Sequence, residues 1–140
     1  MLAVRLVIDT NVLVSAALKP DGIERAVLTF ALSKPARLYV SSAILAEYDA
    51  VLSRPELGIR KGLRVQLLQL IRNRARLVSP KRQMTVTSDP DDSIFIECAD
   101  AARADYLVTG NRRHFPPFWK TTKIITSREL LGLVAPHLAS

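Results

Sequence analysis

With 140 residues, 49% of them hydrophobic and 24% charged, the chain is long enough to bury a core without disulfide or metal staples and has the balance of an ordinary soluble globular protein. A single cysteine, Cys98, excludes an internal disulfide and points to a reduced, cytoplasmic setting. The formal net charge of +7 and a pI near 10.1 favour polyanionic partners such as RNA or DNA, with charge-based solubility as the plain alternative.

The apolar start, MLAVRLVIDT, is interrupted by Arg5 and Asp9, so it matches neither a signal peptide nor a membrane span. Ala3 to Ile8 is a short unbroken apolar run of the kind expected for a parallel strand buried on both faces. Residues 11–18 and 22–32 read as helices, punctuated by Lys19-Pro20-Asp21-Gly22. Leu38 to Ser41 reads as the second strand. Ser42 then caps a helix whose apolar stripe is Ile44, Leu45, Tyr48, Val51 and Leu52. The pattern over 61–76 predicts the longest helix, with Leu63, Leu67, Leu70 and Ile71 inward and arginines outward. A weak strand is expected at Leu77-Val78 or at Met84 to Val86. Asp89-Pro90-Asp91-Asp92 opens a further helix with Ile94, Phe95, Cys98, Ala101 and Ala102 on its buried face. Strands at 106–109 and 123–126 follow, and Ser127 caps a last helix through Leu133. Alternating strands and helices, with no repeat and no linker, predict one α/β domain over residues 1–140: a mainly parallel sheet covered by helices on both faces.

Ligands of open parallel sheets bind beyond the carboxyl ends of the strands. Asp9 and Asn111 stand at two such ends, and Glu47 lies beside the apolar stripe of its helix, able to lean over the same edge. Asp92 stands two residues before the apolar pair Ile94-Phe95, whereas Asp89 and Asp91 suit the helix cap or solvent. For each acid taken singly a cap, a turn or a boundary ion pair is an adequate explanation. Three carboxylates gathered at one rim would need a cation between them, and hard oxygen donors without His or Cys favour Mg²⁺ or Mn²⁺. Such an ion polarises a phosphoryl oxygen and activates water for in-line attack.

With these positions marked, the chain resembles PIN-domain proteins, in particular the toxin components of bacterial and archaeal toxin–antitoxin pairs. VIDTNVLVSA is similar to the first motif of that family, SSAILAEYDAVLSRP to the second, and DPDDSIFIECADAARADYLVTGN to the third and fourth; ITSRELL fits its last strand and helix. The resemblance implies a three-layer α/β/α sandwich and a Mg²⁺- or Mn²⁺-dependent ribonuclease. It assigns the metal to Asp9, Glu47 and Asp92, with Asn11 as a supporting amide and Asn111 where many relatives carry another Asp. An RNA substrate, a silencing antitoxin and a homodimer are the partners it implies.

An amide at position 111 contributes no negative charge, which weakens a second ion site and favours a one-metal mechanism. Thr109 is expected to orient Asp9 or a water. Arg112 and Arg113, with His114, follow the proposed site and could meet a phosphate of bound RNA. Phe115, Phe118 and Trp119 could stack on bases or pack a loop. Two histidines give little support to a nucleophilic triad, and no G-x-G-x-x-G follows the first strand. A phosphatase-like use of Asp9 as nucleophile would want an acid at position 11, which is Asn. A non-catalytic RNA- or protein-binding module that retains the fold stays open beside the ribonuclease.

Overall fold

The computed structural model describes residues 3–81 and 90–135, with side chains of 90 and 91 excepted. Within them the chain runs β1 (Arg5–Ile8), α1 (Thr10–Leu18), α2 (Ile23–Ala31), β2 (Arg37–Val40), α3 (Ser42–Leu52), α4 (Lys61–Arg74) and β3 (Arg76–Leu77). It continues through α5 (Pro90–Ala102), β4 (Tyr106–Val108), β5 (Phe118–Trp119), β6 (Thr122–Ile125) and α6 (Ser127–Val134). The strands form one sheet in the order β3-β2-β1-β4-β6-β5, parallel except for the β5–β6 pair.

The expected α/β sandwich is present. In β1, Leu6, Val7 and Ile8 are all buried, so both faces of this central strand are covered and the apolar run needs no alternation. Helix α5 lies against β1, β2 and β4 with α3 beside it, while α2 packs on both α1 and α6. Ile8, Tyr48, Phe95, Leu107 and Leu130, from five different elements, are each almost fully enclosed in a single core cluster.

Chain order reverses at β1: the chain moves outward from it to β2 and β3, then returns to place β4 on its other side. The carboxyl ends of β1 and β4 therefore flank the point where a crevice opens in a doubly wound sheet. Their register pairs Ile8 with Val108, which sets the next residues, Asp9 and Thr109, side by side.

Several local expectations are corrected. Ser41, not Ser42, caps α3, its side chain accepting the Ile44 N–H at 3.2 Å. Thr126, not Ser127, caps α6 in a reciprocal box with Glu129. Leu63 and Leu70 are exposed, and the buried positions of α4 are Leu68 and Ile71. Ala101 is exposed, while Ala99 takes the buried place on α5. The expected strand at 77–78 is the short β3, and β5, a two-residue edge strand at Phe118–Trp119, was not expected. Met84 to Val86, Asp89 and His137 lie outside the described residues. No helix among the described residues is long and apolar enough to cross a membrane.

Candidate functional site

Asp9 occupies the N-cap position of α1, yet its side chain makes no cap bond to the first turn. Its carboxylate instead accepts a 2.7 Å hydrogen bond from the Thr109 hydroxyl, across from β4. The same hydroxyl oxygen accepts the Asn111 N–H at 3.0 Å, so one threonine ties both strand ends together. Asp9 is 4% exposed. Burial pushes its carboxyl above the ordinary range; the Thr109 hydroxyl and the Thr10 N–H pull it back, and the nearby Glu47 charge pushes it up again. A buried carboxylate held next to a second acid is short of positive charge.

Glu47 reaches this place from α3. The neighbouring Tyr48 is buried and its hydroxyl donates to the Ile8 carbonyl, which locks α3 against the end of β1. That contact turns Glu47 toward the rim, where its Oε2 accepts the Thr10 hydroxyl at 3.1 Å. In the sequence Thr10 carries no site signal, and Tyr48 stands out only as a member of the apolar stripe of its helix. The one available signal for their hydroxyls is that each directly follows an acid, Asp9 and Glu47.

Asp92 sits in the first turn of α5 with its side chain 15% exposed, and its Oδ2 lies 3.3 Å from the His114 Nδ1. His114, in the short turn 112–114 after β4, is also close enough to Asp9 to lower its proton affinity. The imidazole thus lies near two acids, Asp92 and Asp9. Among the described residues no three His, Cys, Asp or Glu side chains form a group able to hold a metal. The fold brings together Asp9 with Glu47, and Asp92 with His114.

Asn11 is exposed and, with Asn111, lines a cleft beside Thr109. Arg112 is paired with Glu129 at 2.8 Å, and Arg113 is exposed on the same turn. Phe115 packs into the core and the Trp119 ring nitrogen donates to Asp100, so of the three aromatics only Phe118 is exposed. Cys98 is buried and its thiol is pushed up to about 12 by burial, which removes it as a nucleophile.

The donors facing the rim are mainly hard oxygens from carboxylate, hydroxyl and amide groups. In kind, this set fits Mg²⁺ or Mn²⁺.

Fold and site together define an α/β sandwich with an acidic, oxygen-lined rim at the switch point of a parallel sheet. The chain belongs to the PIN domain family, whose profile matches residues 5–113 and so contains Asp9, Glu47 and Asp92. It is 29% identical over 112 residues to the uncharacterized protein MJ1680 of Methanocaldococcus jannaschii, covering 78% of this chain and 72% of that protein. Two solved structures share the fold at 17% identity each. VapBC2 from Rickettsia felis, bound to a DNA fragment from its promoter, aligns with a TM-score of 0.59 over 87% of this chain and 98% of its own. VapBC-1 from nontypeable Haemophilus influenzae aligns with a TM-score of 0.54 over 79% and 89%.

Proposed function

We propose that the protein is a Mg²⁺- or Mn²⁺-dependent endoribonuclease, the toxin of a toxin–antitoxin pair. The observation that carries this reading is Asp9: a buried carboxylate of raised proton affinity, coupled to Glu47, at the switch point of the sheet. Asp9, Glu47 and Asp92 would hold the ion, and Asn111 would complete the site through its amide oxygen. When bound, the ion supplies Lewis acidity at the phosphoryl group and activates water.

The chain's own residues do the rest. Thr109 fixes the Asp9 carboxylate and, through the Asn111 N–H, the loop that follows β4. Thr10 fixes Glu47. Arg113, the rest of the basic turn and the overall positive charge attract the RNA backbone. A groove of about 330 Å³ between α2 and α4, lined by Leu28, Leu63, Leu67 and Leu70, offers an antitoxin an apolar seat, in keeping with the VapBC structures of the same fold. A homodimer and a cytoplasmic location, where Cys98 stays a thiol, belong to the same reading.

The test is cleavage of single-stranded RNA by the purified protein with Mg²⁺ or Mn²⁺. EDTA and, separately, Asp92→Asn are expected to stop it. RNA binding without cleavage, unchanged by either treatment, would instead establish the non-catalytic module, for which the amide at Asn111 is the favouring feature.

A further inference from the structure

The metal donors named so far are all oxygen atoms. His114 brings a nitrogen to the same rim, and no role assigned so far uses that atom. The Thr109 hydroxyl that holds Asp9 also takes the Asn111 N–H, so the turn after β4 starts from the rim itself. The His114 N–H donates to the Asn111 carbonyl at 3.0 Å, which closes the turn. Phe115, the next residue, is buried and anchors the end of the turn in the core. The backbone that carries His114 is therefore fixed relative to Asp9, while the ring itself stays half exposed.

That ring lies against Asp92. His114 Nδ1 and Asp92 Oδ2 are 3.3 Å apart, and the contact lacks the geometry of a hydrogen bond although Oδ2 is enclosed. Its length suits a different relation. Two neighbouring ligands of an octahedral ion, each about 2.1 Å from the metal, stand about 3.0 Å from one another. A carboxylate oxygen and an imidazole nitrogen at the observed spacing present one edge of such a sphere. His114 also acts electrostatically on Asp9, so the same ring is within reach of the buried acid after β1. No three acid, His or Cys side chains close into a full set among the described residues. Small divalent ions do not require one, because they keep several of their waters.

We propose that His114 is a metal ligand and determines which ion the rim takes: with Asp92 it forms a mixed nitrogen–oxygen edge that selects Mn²⁺ over Mg²⁺. Mg²⁺ favours a sphere of oxygens, whereas affinity for imidazole belongs to the transition ions, so one nitrogen shifts the balance toward Mn²⁺. The inference rests on the reading of the rim as a divalent-metal site and deepens it by choosing between the two ions. The rival account of the same contact is a plain ion pair, in which a protonated His114 takes the place of a cation beside Asp92. The two accounts differ in sign. Loss of a ligand weakens Mn²⁺ binding, whereas loss of a competing positive charge strengthens the binding of any divalent ion.

The test is Mn²⁺ binding to the full chain without RNA, followed by loss of the free-ion electron paramagnetic resonance signal, with Mg²⁺ as competitor. His114→Ala is expected to lower Mn²⁺ affinity about tenfold, a loss typical of changes at a metal site. Mg²⁺ affinity should hardly change, so the Mn²⁺-to-Mg²⁺ affinity ratio should fall by nearly the whole of that factor. In wild type, electron spin echo modulation of the bound Mn²⁺ is expected to show a directly coordinated nitrogen, and His114→Ala should lose it. The wild-type spectrum answers the question even if the variant fails to fold. Bound Mn²⁺ without nitrogen coupling, an unchanged affinity ratio, or tighter binding of both ions in His114→Ala overturns the proposal. RNA cleavage by wild type would then leave the nuclease standing. Nitrogen coupling that depends on His114, without cleavage of RNA, supports the ligand and removes the ribonuclease. Failure of wild type to bind Mn²⁺ also overturns the ligand role, and cleavage with Mg²⁺ then decides the nuclease separately.

Discussion

The Asp9 carboxyl is raised above 3.8 chiefly by burial, so between 3.8 and the raised value the folded protein holds a proton that the unfolded chain has released. Stability of the metal-free protein therefore falls as pH rises through that window, because the folded state must then ionise a buried group. Asp9→Asn removes the charge and keeps an oxygen to accept the Thr109 hydroxyl. In EDTA this variant should melt at least as high as wild type at neutral pH, and its melting temperature should vary less over the acidic range. A lower melting temperature at neutral pH would mean that the carboxylate is already compensated within the fold. Divalent ions should raise the melting temperature of wild type and not of the variant.

At the scale of elements, the helices that carry the site are fixed by capping as much as by packing. Ser41 starts α3 six residues before Glu47, and the Thr126–Glu129 box starts α6. Glu129 is held below the usual carboxylate range, first by the Thr126 N–H and then by the Thr126 hydroxyl and Arg112, while its slight burial acts against them. Thr126→Ala should cost about 1 kcal/mol in urea unfolding, the usual loss for an N-cap. An unchanged midpoint would show that tertiary packing alone fixes the start of α6. The long helix α4 illustrates what local pattern leaves undecided. Leu63, Leu67, Leu68, Leu70 and Ile71 spread around a wide arc, so the helical period identifies a helix without choosing its face. Packing against the domain chooses Leu68 and Ile71 and leaves Leu63 and Leu70 in the open groove with α2.

For the whole molecule, the formal charge of +7 surrounds a rim that is locally acidic. Attraction of a strand to the body and repulsion at the rim act at once, and a bound cation relieves the second. RNA affinity should consequently fall steeply with salt, with a log–log slope of about −0.7 for each phosphate contacted. In titrations at several KCl concentrations, a flat response would show that the basic surface serves solubility alone. Divalent ions should strengthen binding at fixed ionic strength, since they neutralise the rim in addition to screening the body.

Much of the architecture was legible in the sequence because it is written in short-range patterns. Unbroken apolar runs, helical periodicity and Pro-Asp-Gly punctuation marked the strands and helices, and the position of an acid or amide directly after a strand marked Asp9 and Asn111 as rim residues. The position of Thr109 at a strand end suggested a hydroxyl that orients Asp9 or a water, and the choice of Asp9 is made by a hydrogen bond between residues 100 apart. Other relations had no local trace. His114 meets Asp92, Thr10 meets Glu47, and the cleft reaches from Asn11 to Ser127, all through the order and register of β1, β4 and β6. Periodicity along a chain reports which face of an element is apolar, whereas strand order and side-chain convergence follow from which apolar faces can be buried together. That choice belongs to the closed core, so only the tertiary structure made it.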